Sequence, residues 1–437
     1  MIIDKSKLIC FFSVFLLLLI FPSIDADAAE TLHISLDNAV ELALENNLNL
    51  KKLLIDLSSA DYQAQRLWAE IFPSISASAS AGYSSNVFSG NGFEFNDKGN
   101  SYGASLGINL GLNAGSAYAV RNIRLAYHSQ LLTYQDACKQ LEILVTKNYY
   151  SLIAEKENLV VLEENLKLAT QQFQQSSLGF NNGLVSELIL TQSRLAMENA
   201  RYNLSTSHSL FDIRMGEFLA LLGMEHDTDV FLDGEIEFSR FEPDAEELIR
   251  QYLPGRPDIV SRRQEIERME NNEKQTALTG RSPSLNLSLG WESRNFNPFS
   301  DSLSGTASIR IPIDTWIPGT KGAQSVRNAK LAIEKARLEL KISEDAAKTQ
   351  IRSLIVNLRN SWDSAEIARL SLQAAERSYE LTEQGFRTGA IEYLKLEDAR
   401  NNLADVRQRL LRSELACQTA ILDLSAALNI KWKDLIK

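Results

Sequence analysis

Proline is scarce in this chain, with nine in 437 residues. Those nine fall at the boundaries of periodic segments, so long helices run without the residue that breaks them from within. Cysteine is scarcer still, at three, which excludes a disulfide-stapled scaffold. The four histidines, at 33, 128, 208 and 226, are scattered and show no metal-ligand spacing. The one G-x-S-x-G string, Gly103 to Gly107, lies inside an alternating apolar and small-polar run rather than at a strand-to-helix elbow, and no phosphate-cradling glycine loop carries its lysine, so neither a nucleophile nor a nucleotide site is offered. No enzymatic activity, cofactor or metal is expected. Basic stripes are missing as well: the formal charge of −11 argues against a nucleic-acid partner.

Long apolar runs are confined to the start. Lys5 and Lys7 precede an almost wholly apolar stretch from Leu8 to Phe21, and Ala26-Asp27-Ala28 follows as a small-residue cleavage site. That order predicts a secretory signal peptide over residues 1–28; the apolar run is short for a ~20-residue membrane span. Cys10 lies within that stretch and ahead of the cleavage site, so it is not placed to carry a lipid after cleavage. Beyond Ala28 no window of 18 apolar residues occurs, and no transmembrane helix is expected. The two cysteines that remain, Cys138 and Cys417, sit at heights along the predicted helices that differ by roughly 20 Å. A disulfide needs its Cα atoms within ~7 Å, so two free thiols are expected.

What the chain does contain, it contains twice. VRNIRLA at 120–126 returns as VRNAKLA at 326–332, and GFNNG at 179–183 as GFRTG at 385–389, both 206 residues apart. A heptad seam keeps the same offset: Val145, Leu152, Leu159, Leu166 and Phe173 recur as Ile351, Leu358, Ala365, Leu372 and Tyr379. Two structural repeats are predicted, 29–232 and 233–437. Each carries an amphipathic helix, two strands, a very long helix, a glycine turn and a long returning helix. In the first repeat a helix capped by Ser35 is expected to run to Phe72-Pro73; in the second, a helix spans Asp258 to Thr279. From Ala114 to Leu178 there is no proline and only Gly115 among the glycines, so one helix of about 100 Å is predicted. It needs a partner, and the turn supplies one by returning the chain from Leu184 to Leu222 and, in the second repeat, from Ile391 to Leu428.

The strands alternate apolar and small polar residues. Ile75, Ala77, Ala79, Ala81 and Tyr83 form one apolar series, and Tyr102 to Leu112 another. Leu285, Leu287, Leu289 and Trp291 form a third, and Leu303, Ala307, Ile309, Ile311 and Ile313 a fourth. Period two marks strands with one apolar and one wet face; the glycine-, asparagine- and phenylalanine-rich stretches 86–100 and 293–302 are expected to be loops. Four strands leave two open edges and an apolar face without a partner. A membrane accepts strands only in a closed barrel, and such barrels begin at about eight strands. The chain must therefore associate with copies of itself; two copies supply eight strands and three supply twelve, and the residues alone leave that number open.

The order of these elements, RPDI at 256–259 leading to RSPSLNLSLG at 281–290, and the paired G-F-x-x-G turns resemble the TolC-like outer membrane efflux proteins. The resemblance covers essentially all of the chain after the signal segment. It implies a mainly α fold with a small membrane β-barrel portion. Three chains would form a 12-stranded outer-membrane barrel continuous with a periplasmic barrel of long coiled-coil hairpins. It also implies an exit duct for a tripartite pump or a type I secretion system. The implied partners are a periplasmic adaptor, an inner-membrane transporter of RND, ABC or MFS class, and outer-membrane lipid.

Members of that family touch the adaptor through a Gly-Leu pair and a nearby hydroxyl at the helical tip, matched here by Gly183, Leu184 and Ser186. The second tip reads Gly389, Ala390 and Glu392 and departs at two positions. The family narrows its entrance with acidic side chains on the helix after the second turn. Asp398 matches one, but Lys395 stands three residues earlier, so a double-aspartate ring is not expected. The competing reading, an exported coiled-coil tether or adhesin with an oligomeric β anchor, accounts for the heptads. It leaves unexplained why strands occur twice, each pair between helices.

Overall fold

The computed structural model describes residues 32–89, 92–226, 228–234, 240–296 and 299–435, with side chains for all of these except 84–100 and 294–300. The expected signal peptide lies outside the described residues. Strand β1 (Leu32–Ile34) leads into helices α1 (Leu36–Asn46) and α2 (Leu48–Gln65), then strands β2 (Ser74–Ser89) and β3 (Gly92–Asn113). Helices α3 (Ser116–Asn181) and α4 (Glu187–Leu222) follow, then β4 (Val230–Leu232), α5 (Ala245–Tyr252) and α6 (Pro257–Thr279). The chain ends with β5 (Ser284–Phe296), β6 (Phe299–Arg310), α7 (Lys321–Arg387), α8 (Tyr393–Leu428) and α9 (Trp432–Leu435). It divides into two compact units: the residues up to Glu45 with Asn148–Ile236, and Asn46–Lys147 with Glu237–Lys437. No described helix is long and apolar enough to cross a membrane.

In the first unit, β1 and β4 pair in parallel. Tyr149 closes this pair, its hydroxyl donating to the Ile34 carbonyl at 2.9 Å and to that of Asp233. Burial, with Asp233 close by, pushes the tyrosine up to about 12. The α3–α4 hairpin is sealed by Ala169, Met197 and Ala200, with Leu166 and Phe173 against them.

In the second unit the α7–α8 hairpin is sealed by Ala375, Leu403 and Val406, with Leu372 and Tyr379. Every one of these follows its counterpart in the first hairpin by 206 positions. Below that cluster Ile351, Leu358, Trp362 and Ala365 of α7 pack on Cys417, Ile421, Leu424 and Leu428 of α8, with Ile249 of α5 completing the core. Seam positions Val145, Leu152, Ile351, Leu358 and Ala365 are buried, as a heptad stripe requires. Leu358→Ala, at a side chain with no exposed surface, is expected to cost about 2–5 kcal/mol, read as a lowered thermal midpoint by circular dichroism. Cys138 and Cys417 are both free, and burial pushes the Cys417 thiol above its ordinary value.

The segment Arg256–Ile259 has a packing role. Pro257 opens α6 at a position where a missing N–H is harmless. Arg256, buried, donates from Nε and Nη2 to the two carboxylate oxygens of Asp258 at 3.0 and 2.9 Å, and from Nη2 to Gln350 of α7 at 3.1 Å. Burial opposes ionisation of Asp258, but Arg256 and the Ile259 N–H outweigh it and hold the carboxyl below its ordinary value. A depressed folded-state value stabilises above the unfolded carboxylate range, near pH 4, and that contribution is lost as pH falls through it. The stability gap between wild type and Asp258→Asn is therefore expected to be full at pH 7 and to shrink below about pH 4. A gap independent of pH would dismiss the pair.

The strands form one antiparallel sheet in the order β2-β3-β5-β6. Ile75 faces Ile108, Leu106 faces Trp291, and Leu289 faces Gly305, so one face is apolar across the sheet. β2 and β6 are its open edges. An amide lattice fixes the base: Asn271 donates to Asn122 at 2.6 Å and to the Tyr118 carbonyl at 2.8 Å, while Asn122 donates to Gln275 at 2.9 Å.

Three expectations need correction. The single first helix is two, broken at Asn47, whose side chain accepts from the Asn49 and Leu50 N–H groups and so starts α2 afresh. The stretches 86–100 and 293–302 are strand through most of their length, because β2 runs to Ser89 and β3 begins at Gly92. β6 also begins earlier, at Phe299, and stops at Arg310. Ile311 and Ile313 lie beyond it because Pro312 has no N–H for the ladder.

Candidate functional site

Each hairpin ends in the same turn. In the first unit the Gly183 N–H donates to the Phe180 carbonyl at 2.9 Å and that of Leu184 to Gly179 at 2.8 Å. This is the double closure that ends a helix in a left-handed residue. Gly183 supplies that conformation at φ +70°, in open space. Gly179 is needed for a different reason: a Cβ there would lie 2.5 Å from Cγ2 of Val185. Leu184, just past the turn, is 81% exposed, and Leu188 one turn on is 66% exposed. The Ser186 hydroxyl caps α4 by accepting from the Ile189 N–H at 3.4 Å.

The second tip, in the other unit, repeats the geometry with other side chains. Gly389 stands at φ +75° and donates to Phe386 at 3.0 Å, and Ala390 donates to Gly385 at 2.8 Å. A Cβ on Gly385 would meet Cδ1 of Ile391 at 2.5 Å. Ala390 is exposed but small, and Glu392 at the start of α8 makes no side-chain cap.

On α8 the face turned inward carries Tyr393, Leu396, Arg400 and Leu403, all buried. Lys395 and Asp398 both lie off that face and are exposed. Three residues apart, they are neighbours on the helix surface, and no ion pair joins them among the described residues. Tyr393 and Arg400 were not singled out in the sequence. Burial, with Glu397 adding to it and Arg400 opposing it, pushes the Tyr393 hydroxyl up to about 12. Their seven-residue spacing, in step with Leu396 and Leu403, is the signal that marks them as seam residues.

Among the described residues no group of three His, Cys, Asp or Glu side chains could hold a metal. His33 and His208 meet single carboxylates, Asp233 at 3.3 Å and Asp212 at 3.2 Å. The arrangement offers instead an exposed apolar and hydroxyl-bearing tip, and a sheet with one apolar face and two open edges.

The model of the outer membrane efflux protein family matches residues 39–223 and 248–429. The toluene efflux pump outer membrane protein TtgC of Pseudomonas putida is 25% identical over 429 residues, 91% of this chain and 83% of that protein. Among solved structures, the CmeC outer membrane channel of Campylobacter jejuni superposes with a TM-score of 0.73 at 20% identity, covering 90% of this chain and 85% of that one. The outer membrane protein VceC of Vibrio cholerae gives 0.71 at 16% identity, covering 91% and 96%.

Proposed function

The chain belongs to the outer membrane efflux protein family, and on that premise we propose that it is the passive exit duct of a tripartite efflux pump. Membership places it in the cell outer membrane with its helical part in the periplasm. In this reading three copies enclose one passage, a periplasmic adaptor docks on the helical tips, and an inner-membrane transporter of RND, ABC or MFS class supplies the energy. Efflux is preferred to type I secretion because the relatives of known description are efflux pump proteins.

The observation that carries the reading is the sheet. Its apolar face suits lipid, yet its edge strands β2 and β6 would leave unpaired N–H and C=O groups in hydrocarbon. Pairing β6 of one copy with β2 of the next removes both edges, and three copies close twelve strands. Exposed aromatic residues stand where the sheet meets the helices: Trp68 and Phe72 before β2, Trp316 after β6. That is the level at which amphipathic rings favour the lipid headgroups.

The two halves, 29–232 and 233–437, are taken as copies of one structural unit. Support comes from helix lengths of 66 and 67 residues for α3 and α7, and 36 each for α4 and α8. Gly183, Leu184 and Ser186 form the principal adaptor contact in this reading, with Gly389 and Ala390 contributing less. Asp398 and Lys395 line the entrance. Detergent-solubilised protein is expected to weigh as a trimer by light scattering and to conduct ions in planar bilayers. A stable, folded monomer that conducts nothing would end the proposal.

A further inference from the structure

Among the described side chains, those on the polar face of the sheet are mostly small and uncharged. One rung across it reads Ser76, Gly107, Gly290, Ser304; the next reads Ser74, Asn109, Ser288, Thr306. Among the described side chains on this face only Glu292 and Arg310 carry charge. They are opposite in sign and lie towards opposite ends of the β5–β6 ladder.

Several hydroxyls on this face are turned back onto the wall itself. Ser76 donates to the Gly107 carbonyl at 3.5 Å, Ser304 to Gly290 at 3.3 Å, and Ser101 to Gly82 at 3.2 Å. Ser78 and Ser105 bond one another at 2.7 Å. The cross-strand glycines make room for this. A Cβ on Gly107 would lie 3.1 Å from the Ser76 oxygen, and one on Gly103 would lie 3.0 Å from that of Ser80. Ser76, Ser101 and Ser304 therefore lie flat beside their partners with their donors engaged.

We infer that this face is a non-binding, charge-neutral sleeve. It passes cationic, neutral and anionic cargo alike, and discrimination by charge is left to the helical end of the path. A passenger leaves a pore quickly only where the wall holds it weakly, and a wall of small side chains with few charges and many hydroxyls turned onto its own carbonyls holds weakly.

The inference rests on the exit-duct reading, and the test keeps the two apart. Purified protein carrying Lys395→Ala and Asp398→Ala is placed in planar bilayers under a potassium chloride gradient. Its cation-to-anion permeability ratio is expected within about twofold of one. Adding Ser288→Glu puts a carboxylate from every copy into one rung and is expected to raise the ratio about tenfold. Strong selectivity that disappears only when Glu292→Gln and Arg310→Gln are also introduced would mean that the wall itself discriminates, and would overturn the inference. A conducting protein whose ratio ignores Ser288→Glu would overturn it too, since that rung would not face the path. Inserted, folded protein with no conductance would instead remove the exit-duct reading, and the inference with it.

Discussion

Leu106→Arg is expected to leave almost no protein in the outer membrane. Leu106 lies midway along β3, facing Ala77 on one side and Trp291 on the other, on the apolar face of the sheet. In the single chain it is 53% exposed, so the face is open for lipid to cover. A guanidinium at mid-depth on the lipid side of a barrel costs about 2–4 kcal/mol, and each copy in an assembly bears that cost. Ser105→Arg is the matching control. One residue away, it turns to the opposite face, where water accepts the charge, and insertion is expected to persist. Membrane fractionation and native gels of both variants decide the point. Normal insertion of Leu106→Arg together with failure of Ser105→Arg would reverse the assignment of the faces.

Those faces were legible because strand alternation is a strict period of two, and each apolar series survives pairing in register. The hairpins were legible for a similar reason: seam residues such as Leu358 and Ala365 sit at heptad spacing, and GFNNG and GFRTG mark the turns. Where local composition competed with pairing, the reading failed. Stretches 86–100 and 293–302 are rich in residues that favour loops, yet ladder pairing such as Ser85 with Asp97 and Asn86 with Asn96 overrides propensity. The break at Asn47 was hidden because Leu44 and Leu53 keep the helical period across it, although the asparagine caps a new helix. The β1–β4 pair joins three residues near one end to three some 200 positions on, too few to show any period. Arg400 was hidden in a charge-rich stretch, where a buried cation is the exception.

Leu184→Arg is expected to separate assembly from pumping. The side chain contributes nothing to a core, being 81% exposed, and it follows rather than forms the left-handed turn at Gly183. Folding, insertion and bilayer conductance are expected to match wild type. An adaptor that buries this leucine would meet a charge in its place. At a central contact that costs 2 kcal/mol or more, adaptor affinity falls about 30-fold. In cells the variant is expected to be as drug-sensitive as a deletion strain. Ala390→Arg at the second tip is expected to do less, because alanine and Glu392 present little apolar surface to lose. Ser186→Ala removes the α4 cap for about 1 kcal/mol together with a hydroxyl of the same contact, and is expected to fall between wild type and Leu184→Arg in transport. A Leu184→Arg strain that exports as well as wild type would take the first tip out of the adaptor contact, leaving the glycine geometry it shares with the second tip as a requirement of the turn alone.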